Sequence, residues 1–364
     1  MKKVLVIVLS IVMVLGLAAC GKKAETPAPA PSAPAPAATA PSSSTPAPAA
    51  PASNDPFADL DPITIIIGDT VAETEDGTKA GLAFCQDVTE KTDGKITFEY
   101  KASGQLGSGA EMTEAMSLGQ LDFARLDYSY FDAYAPEAQL VFEPFLISDY
   151  EHFERILAGE GVAKVEAKME TYGIKVLDYV TAGFRCITSK DKITKLADCK
   201  NYLLRSPGTQ IYLDTFNMMG FKPVVIAYNE VYNALQSGLA NGCDNSVTTI
   251  NDQEIYKITP YVCKLDHMMS FTEYCVNTDW WAKLPAAYQQ VIEECMTARC
   301  SAQRAGHKGV QQAYYDNMAK NGATITEWDD RQELYDLFSD YWQNFADGLG
   351  GDAPALLAEI RKLK

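Results

Sequence analysis

The strongest constraint on the fold of this chain is an alternation of apolar, strand-like segments with helical segments over residues 202–246. Three strand-like segments alternate there with two segments of helical spacing, and their ends carry Arg205, Tyr228 and the pair Asp244-Asn245. Such alternation is typical of α/β sheets. Because ligands bind beyond the carboxyl ends of the strands in open α/β sheets, these polar residues are candidates for a binding site.

Arg205 is the central candidate, since it ends an apolar strand directly before Ser206-Pro207-Gly208. A planar guanidinium can hold a carboxylate through two parallel hydrogen bonds, which a lysine cannot do. We therefore interpret Arg205 as an anion clamp, with a strand-end arginine in a surface salt bridge as the alternative. Arg185 lies in a second strand-like passage, and two arginines on neighbouring strands would converge on one anion.

The start of the chain has the pattern of an export signal. Lys2 and Lys3 precede an apolar run over residues 4–15 that is too short to span a bilayer comfortably. Leu-Ala-Ala directly before Cys20 resembles the bacterial lipobox, in which the cysteine becomes the lipidated first residue. We predict a lipoprotein signal peptide at 1–19 and lipidation at Cys20; ordinary secretory cleavage nearby is the alternative.

Residues 20–54 are predicted to hold the lipidated cysteine and a disordered tether. From about residue 24 the segment is almost entirely Ala, Pro, Ser and Thr, so it has nothing to bury and favours polyproline II. Fully extended at roughly 3 Å per residue, it would reach about 90 Å. The remaining body, from residue 55 onward, is large enough for two lobes.

Composition and motifs exclude several classes of protein. The chain has 31 Lys and Arg against 48 Asp and Glu, a formal net charge of −17, which argues against nucleic acid as a partner. The glycines of residues 103–109 lack the Gly-Lys-Ser/Thr of a phosphate loop. The three histidines belong to no evident triad or metal motif, so we expect no catalysis, no metal and no cofactor.

The cysteines other than Cys20 show no Cys-x-x-Cys pair and no metal-ligand spacing with histidine. We interpret most of them as buried, small apolar residues. A disulfide such as that between Cys186 and Cys199 is the alternative.

Two further features concern the architecture. Asp127 ends the strand-like segment 121–127 and is either a cleft residue or an ordinary helix cap. A helical pattern begins at Pro285 and resumes after Gly306 as far as Asn321. If unbroken, this helix would be about 55 Å long at 1.5 Å per residue and would brace both lobes.

The sequence resembles the substrate-binding proteins of TRAP transporters, the DctP-type family. The motifs that carry the resemblance are Ser103-Gly-Gln-Leu-Gly107, Leu121-Asp-Phe123, Pro144-Phe-Leu146, Gly183-Phe-Arg185, Leu204-Arg205 and, above all, Glu230-Val-Tyr-x-Ala-Leu-Gln-x-Gly238. They occur in family order over residues 63–284.

The resemblance implies a two-lobed, periplasmic-binding-protein-like α/β fold with a hinged ligand cleft and a long helix across both lobes. Residues 55–182 and 274–313 would form lobe I, and residues 183–273 and 314–364 would form lobe II. It further implies a monomer that works with a TRAP membrane permease.

The resemblance also assigns residues to the ligand site. It implies that Arg205 forms the main carboxylate bridge, that Arg185 assists, and that Asn245 contacts the ligand. The opposite wall would hold the residues that set selectivity: Thr70, Asp127, Tyr228, Ser270 and Phe271.

Three segments of the chain depart from the family pattern. Asp244 replaces a usual Glu and Ser246 a usual Pro, which weakens the placement of Asn245. Gly208 stands near a ligand-contacting Asn of some sialic-acid binders, which argues against sialic acid. The opening Gly68-Asp69-Thr70 lacks a frequent His.

The expected function is capture of a small organic carboxylate, such as a dicarboxylate, sugar acid or keto acid. The protein would be lipid-anchored on the outer face of the cell membrane and would deliver its ligand to the permease. A ligand-sensing lipoprotein that docks on a receptor or kinase is the alternative. A surface hydrolase is disfavoured because the sequence has no Gly-x-Ser-x-Gly and no histidine in a catalytic context.

Overall fold

The structure, a computed structural model, describes residues 55–363. The predicted signal peptide, lipidation site and tether therefore lie outside the described residues. The strands of the described part are β1 (Ile63–Asp69), β2 (Ile96–Lys101), β3 (Phe123–Asp127), β4 (Ile174–Ser189), β5 (Leu203–Ser206), β6 (Lys222–Val225), β7 (Gly242–Ser246), β8 (Tyr261–Lys264), β9 (Met269–Asn277) and β10 (Thr324–Glu327).

Helices connect and cover these strands. They are α1 (Asp76–Lys91), α2 (Gly109–Ser117), α3 (Tyr150–Leu157), α4 (Glu160–Glu170), α5 (Leu196–Cys199), α6 (Gln210–Met218), α7 (Val231–Ser237), α8 (Val247–Asp252), α9 (Thr278–Trp281), α10 (Ala286–His307), α11 (Gln311–Lys320), α12 (Arg331–Phe338), α13 (Tyr341–Leu349) and α14 (Ala353–Lys362). Short 3₁₀ helices lie at Tyr128–Ala133, Pro136–Phe142, Tyr228–Glu230 and Ile255–Lys257.

The strands form one mixed sheet in the order β2-β1-β3-β9-β4-β7-β5-β6, with β8 and β10 attached through β4. At one end β1 runs parallel to β2 and β3, and at the other end β5 runs parallel to β6 and β7. The long strands β4 and β9 run antiparallel to each other between these groups. The predicted α/β class and the alternation over residues 202–246 are confirmed.

Each end of the sheet has a hydrophobic cluster of its own. One cluster joins Ile67 of β1, Phe84 of α1 and Ile292 of α10. A second joins Leu235 of α7 to Met318 of α11. A larger third cluster runs through the middle of the molecule. Separate cores allow the two ends of the sheet to behave as separate packing units.

The helical pattern from residue 285 to 321 is not one unbroken helix, because the chain divides it into α10 and α11. Lys308 is extended (φ −60°, ψ 120°) and Gly309 adopts a left-handed conformation (φ 87°), which interrupts the helical hydrogen bonds. The 22 residues of α10 span only about 33 Å. The two helices belong to different hydrophobic clusters, so each braces one end of the sheet.

All eight cysteines of the described residues are free and buried. This confirms the interpretation as small apolar side chains and leaves the Cys186–Cys199 disulfide unformed. Between residues 55 and 363, no helix combines the length and the apolar composition that a membrane span needs.

Candidate ligand-binding site

The two parallel groups of strands point their carboxyl ends at the same part of β4. β3 ends at Asp127, which lies opposite Thr272 of β9, and Thr272 in turn lies opposite Val180 of β4. β7 ends at Ser246, opposite Arg185 of β4. Polar side chains at the carboxyl ends of both groups of strands therefore meet above residues 180–185 of β4.

A cavity lies at this meeting point, with a volume of about 70 Å³. On the same scale a water molecule needs about 10–15 Å³, so the space is roughly that of five to seven waters. All eight residues predicted for the ligand site line it: Thr70, Asp127, Arg185, Arg205, Tyr228, Asn245, Ser270 and Phe271. The structure thus brings them together, while their contact with a ligand stays a prediction.

We distinguish two walls and a floor in this cavity. The first wall comprises lining residues from 70–77 and 109–130, and the second wall comprises those from 205–249. Residues 180–185 of β4 and 270–272 of β9 form the floor.

Arg205, in the second wall, is a buried cation without an ion-pair partner among residues 55–363. Its side chain is 2% exposed, and its Nε donates to the carbonyl oxygen of Ile226 at 2.9 Å. Burial lowers the pKa of Arg205, since the charged form has lost its water. Arg205 is therefore not the surface salt bridge considered as an alternative, and its charge is available to an anion.

The positive charge of Arg185, on the floor of the cavity, is balanced by the carboxylate of Asp244. Its Nη2 lies 2.6 Å from Asp244 Oδ2, its Nε also donates to the Asp244 carboxylate, and its guanidinium stacks over Tyr212 at 4.9 Å. His267 Nε2 lies 3.1 Å from Asp244 Oδ1. Burial acts to raise the pKa of Asp244, but Arg185 and His267 hold it at about 2.

Asn245 and Ser270 add neutral polar groups near the two arginines. Asn245 accepts a hydrogen bond from the backbone N–H of Ser246 at 2.8 Å, while its buried Nδ2 has no partner among the described residues. Ser270 Oγ accepts from Arg185 Nη1 at 3.2 Å. Asn245 therefore offers a free donor in the same cavity as Arg205.

Asp127 proves to be both a helix cap and a cavity residue. Its carboxylate accepts from the backbone N–H of Ser129 at 2.9 Å at the start of a 3₁₀ helix. Burial, followed by the charge of Asp127, raises the pKa of the neighbouring Tyr130 to about 12, so Tyr130 remains a neutral donor. This part of the first wall presents hydrogen-bonding groups suited to hydroxyls.

Three charged cavity residues, Arg125, Glu75 and Asp76, were missed from the sequence. Arg125, inside β3, is 5% exposed, and its Nε lies 3.0 Å from Asp69 Oδ2. Burial opposes its charge, but Asp69 raises the pKa of Arg125. An arginine within an otherwise apolar strand was a signal that could have identified it.

Glu75, the second missed residue, lies in the connection between β1 and α1. The hydroxyl of Tyr228 donates to its Oε1 at 2.6 Å, and Gln253 Nε2 donates to the same oxygen at 2.9 Å. Thr249 Oγ1 donates to Oε2 at 3.1 Å. The polar connecting segment gave no pattern that would single out Glu75.

In the part of the chain that the structure describes, no group of three or more His, Cys, Asp or Glu side chains is placed to hold a metal ion. Burial raises the pKa of the cysteine thiols. Cys243, which lies beside Arg205, has its pKa raised to about 12. These thiols are therefore protonated and poor nucleophiles.

The fold and the cavity together define a two-lobed α/β binding protein with a polar cavity between the ends of its strands. The chain belongs to the DctP family, described as bacterial extracellular solute-binding protein family 7, which matches residues 67–348. This confirms the resemblance, and it places the chain among extracellular solute-binding proteins, not enzymes.

Three similar proteins illustrate the relationship. A solute-binding protein of Sulfitobacter sp. (strain NAS-14.1) is 27% identical over 82% of this chain and 91% of its own length. A TRAP periplasmic solute binding protein from Sulfitobacter sp. NAS-14.1, solved with bound α-D-taluronate, is 26% identical, with a TM-score of 0.76 over 82% of this chain and 97% of that one. The sugar acid binding protein DctPAm from Advenella mimigardefordensis, solved with galactonate, is 21% identical, with a TM-score of 0.80 over 84% of this chain and 100% of that one.

Proposed function

We propose that this protein captures a small organic carboxylate in the cavity, with Arg205 as the main anion contact. The observation that carries the proposal is the buried guanidinium of Arg205, which has no ion-pair partner among the described residues. A buried charge is costly until it is paired, so a ligand carboxylate would complete the site. Asn245 Nδ2, which also has no partner in this region, would donate to the same carboxylate.

Among carboxylates, we propose a sugar acid rather than a dicarboxylate or a keto acid. Two of the three cavity arginines, Arg125 and Arg185, are already paired with Asp69 and Asp244, which leaves a single free cation in the described cavity. Asp127 and Tyr130 suit hydroxyl groups. The two related structures hold taluronate and galactonate, which are acids of this class.

Binding in the cavity would involve closure of lobe I (55–182 and 274–313) on lobe II (183–273 and 314–364). β4 passes through residues 182–183, where its pairing with β9 is irregular between Thr181 and Gly183. Gly183 has a left-handed conformation (φ 83°). This irregularity and the break between α10 and α11 would be the points at which the chain bends.

The protein would act on the outer face of the cell membrane, held through lipidated Cys20 and the segment 20–54, and would deliver the acid to TRAP permease subunits as a monomer. Family membership supports an extracellular location. Replacement of Cys20 by Ala should release the protein from membranes without altering acid binding. A sensor lipoprotein would bind the acid equally well, but the acid would then not accumulate in cells that carry the permease genes.

A thermal-shift screen tests the substrate class. Ligand binding to the folded state raises the melting temperature by mass action. We expect a rise with galactonate and galacturonate, a smaller rise or none with succinate and pyruvate, and none with galactose. Equal shifts for galactose and galactonate would show that the carboxylate is not recognised, and a rise confined to succinate would replace the sugar acid with a dicarboxylate.

A further inference from the structure

Glu75 is a carboxyl group of the first wall whose side-chain donors all lie outside that wall. Tyr228 belongs to a 3₁₀ helix of the second wall, Thr249 lies on α8, and Gln253 follows α8 directly. Gln253 Nε2 also contacts the Tyr228 hydroxyl at 2.6 Å. The four side chains therefore form one hydrogen-bond network that joins the two walls.

The loop that precedes α2 contacts the 3₁₀ helix of the second wall at a second place nearby. Gly104 has a left-handed conformation (φ 72°), and a Cβ there would lie 3.0 Å from Nδ2 of Asn229, the residue after Tyr228. The loop that precedes α2 thus lies against the same 3₁₀ helix that carries Tyr228.

The network uses groups that would otherwise be free to face a ligand. The Tyr228 hydroxyl is occupied by Glu75 and Gln253, so its direct contact with a ligand is limited to the ring. Glu75 is only 5% exposed and has no ion-pair partner among residues 55–363. Its partners are neutral donors, which satisfy the carboxyl group only while the walls are together.

Given the proposed function, we propose that Glu75 is a positioning residue that latches the second wall over a bound acid. A solute reaches the cavity only when the walls part, and parting them breaks the hydrogen bonds of Glu75 to Tyr228, Thr249 and Gln253. Water then replaces those donors. The latch therefore acts on release of the ligand, not on recognition of its chemical groups.

The burial of Glu75 gives the latch a pH signature. Burial raises the pKa of Glu75, against the opposing effects of the Tyr228 hydrogen bond and the charge of Arg125. With the walls apart the carboxyl group is hydrated and returns toward its ordinary pKa of 4.5. The closed form therefore holds the proton more tightly, and closure weakens as the pH rises above this ordinary value.

Other titratable groups face the same region. A variant of Glu75 must therefore distinguish the effect of their titration from that of Glu75. They are Arg125 on β3, Tyr228, Asp252 on α8, and the cluster of Asp76, His307 and Tyr314 beside the start of α1. A Gln at position 75 keeps the shape of the side chain and removes only its titration.

The test is the rate of release of galactonate and galacturonate, measured by stopped flow in the full protein between pH 5 and 8. In Glu75→Ala we expect release to become roughly 10- to 100-fold faster, because the acceptor of three hydrogen bonds is lost. The increase in release rate should be the same for galactonate and galacturonate. Glu75→Gln resembles the protonated carboxyl group, so it should release both acids about as slowly as the wild type at pH 5, more slowly than the wild type at pH 8, and without dependence on the Glu75 proton. Tyr228→Phe should add little in the Glu75→Ala background.

Glu90→Gln is the matched control, since Glu90 is an exposed residue of α1, the helix that directly follows Glu75, and accepts a hydrogen bond from Gln86. It should leave the release rate unchanged. Small-angle scattering at saturating acid gives a second readout, because the Glu75→Ala protein should remain more open than the wild type. Binding with unchanged release rates, or an effect confined to one acid, refutes the latch alone; absence of binding by either acid in the wild type refutes both the latch and the proposed function.

Discussion

Replacement of Arg205 by Met separates an anion clamp from a structural arginine. In the unliganded protein the change removes a buried cation that has no ion-pair partner among residues 55–363 and one hydrogen bond, from Nε to the Ile226 carbonyl oxygen. Relief of the buried charge is favourable, while an unpaired carbonyl costs about 1–3 kcal/mol. Because these two effects oppose each other, the free energy of unfolding should change by about 1–2 kcal/mol at most.

The effect of the same change on acid binding should be much larger. Removal of one partner of a buried, hydrogen-bonded ion pair costs about 3–5 kcal/mol. At 1.4 kcal/mol per tenfold change, the affinity for galactonate should fall by roughly 100- to 4,000-fold. Isothermal titration calorimetry measures this loss, and urea unfolding of the unliganded protein measures stability in parallel.

Arg299→Met provides the matched control for this experiment. Arg299 is 42% exposed and pairs with Asp87 on the outside of α1, so its loss should change stability by about 1 kcal/mol or less and leave affinity unaltered. The reasoning would be refuted if Arg205→Met bound galactonate within about threefold of the wild type while losing more than about 3 kcal/mol of stability. Arg205 would then be a structural residue.

Three further predictions follow from the charges of the described residues. Arg185→Met should lower the free energy of unfolding by about 3–5 kcal/mol in urea titrations, since it leaves the buried carboxylate of Asp244 without its ion-pair partner; stability equal to that of Arg205→Met would contradict this. Asp127→Asn should improve binding of galactarate relative to galactonate by about tenfold in calorimetry, because it removes a like charge from the first wall; an unchanged ratio would exclude Asp127 as a selectivity residue. Burial raises the pKa of Glu143, whose oxygens are without hydrogen-bond partners among residues 55–363, to about 8. Ionisation of Glu143 therefore opposes folding as the pH rises from about 4.5 to 8, and Glu143→Gln should be more stable than the wild type at pH 9 but not at pH 5.

The sequence was most informative about site residues that lie at the ends of strands, because the sheet determines where those ends meet. Arg205, Asp127 and Asn245 were chosen because they end strand-like segments, and the mixed sheet brings all three to one cavity. The rule works because parallel neighbours present their carboxyl ends at the same edge, whichever residues lie between them.

The sequence was least informative where a residue's role depends on a distant partner. Arg125 pairs with Asp69, 56 residues earlier, and Glu75 accepts from Tyr228, 153 residues later. Neither separation corresponds to a local period, so neither contact can be inferred from spacing. The division of the helix at Lys308 was obscured for a different reason, since glycines within a helical pattern are often tolerated.

Strand register explains why two neighbouring arginines carry different charge environments. Arg185 lies opposite Ser246 on β7, and Asp244, two residues away on the same face of that strand, is a diagonal neighbour within reach of a long side chain. Arg205 lies between two strands whose opposing residues are Val224 and Cys243, and neither of these offers a carboxylate.

The register of β7 therefore compensates one guanidinium and leaves the other uncompensated in the described structure. A shift of β7 by two residues relative to β4 would move Asp244 away from its place beside Arg185. The protein thus keeps one buried positive charge in a cavity whose other arginines are paired. We therefore expect the cavity to receive a solute through a single anionic group.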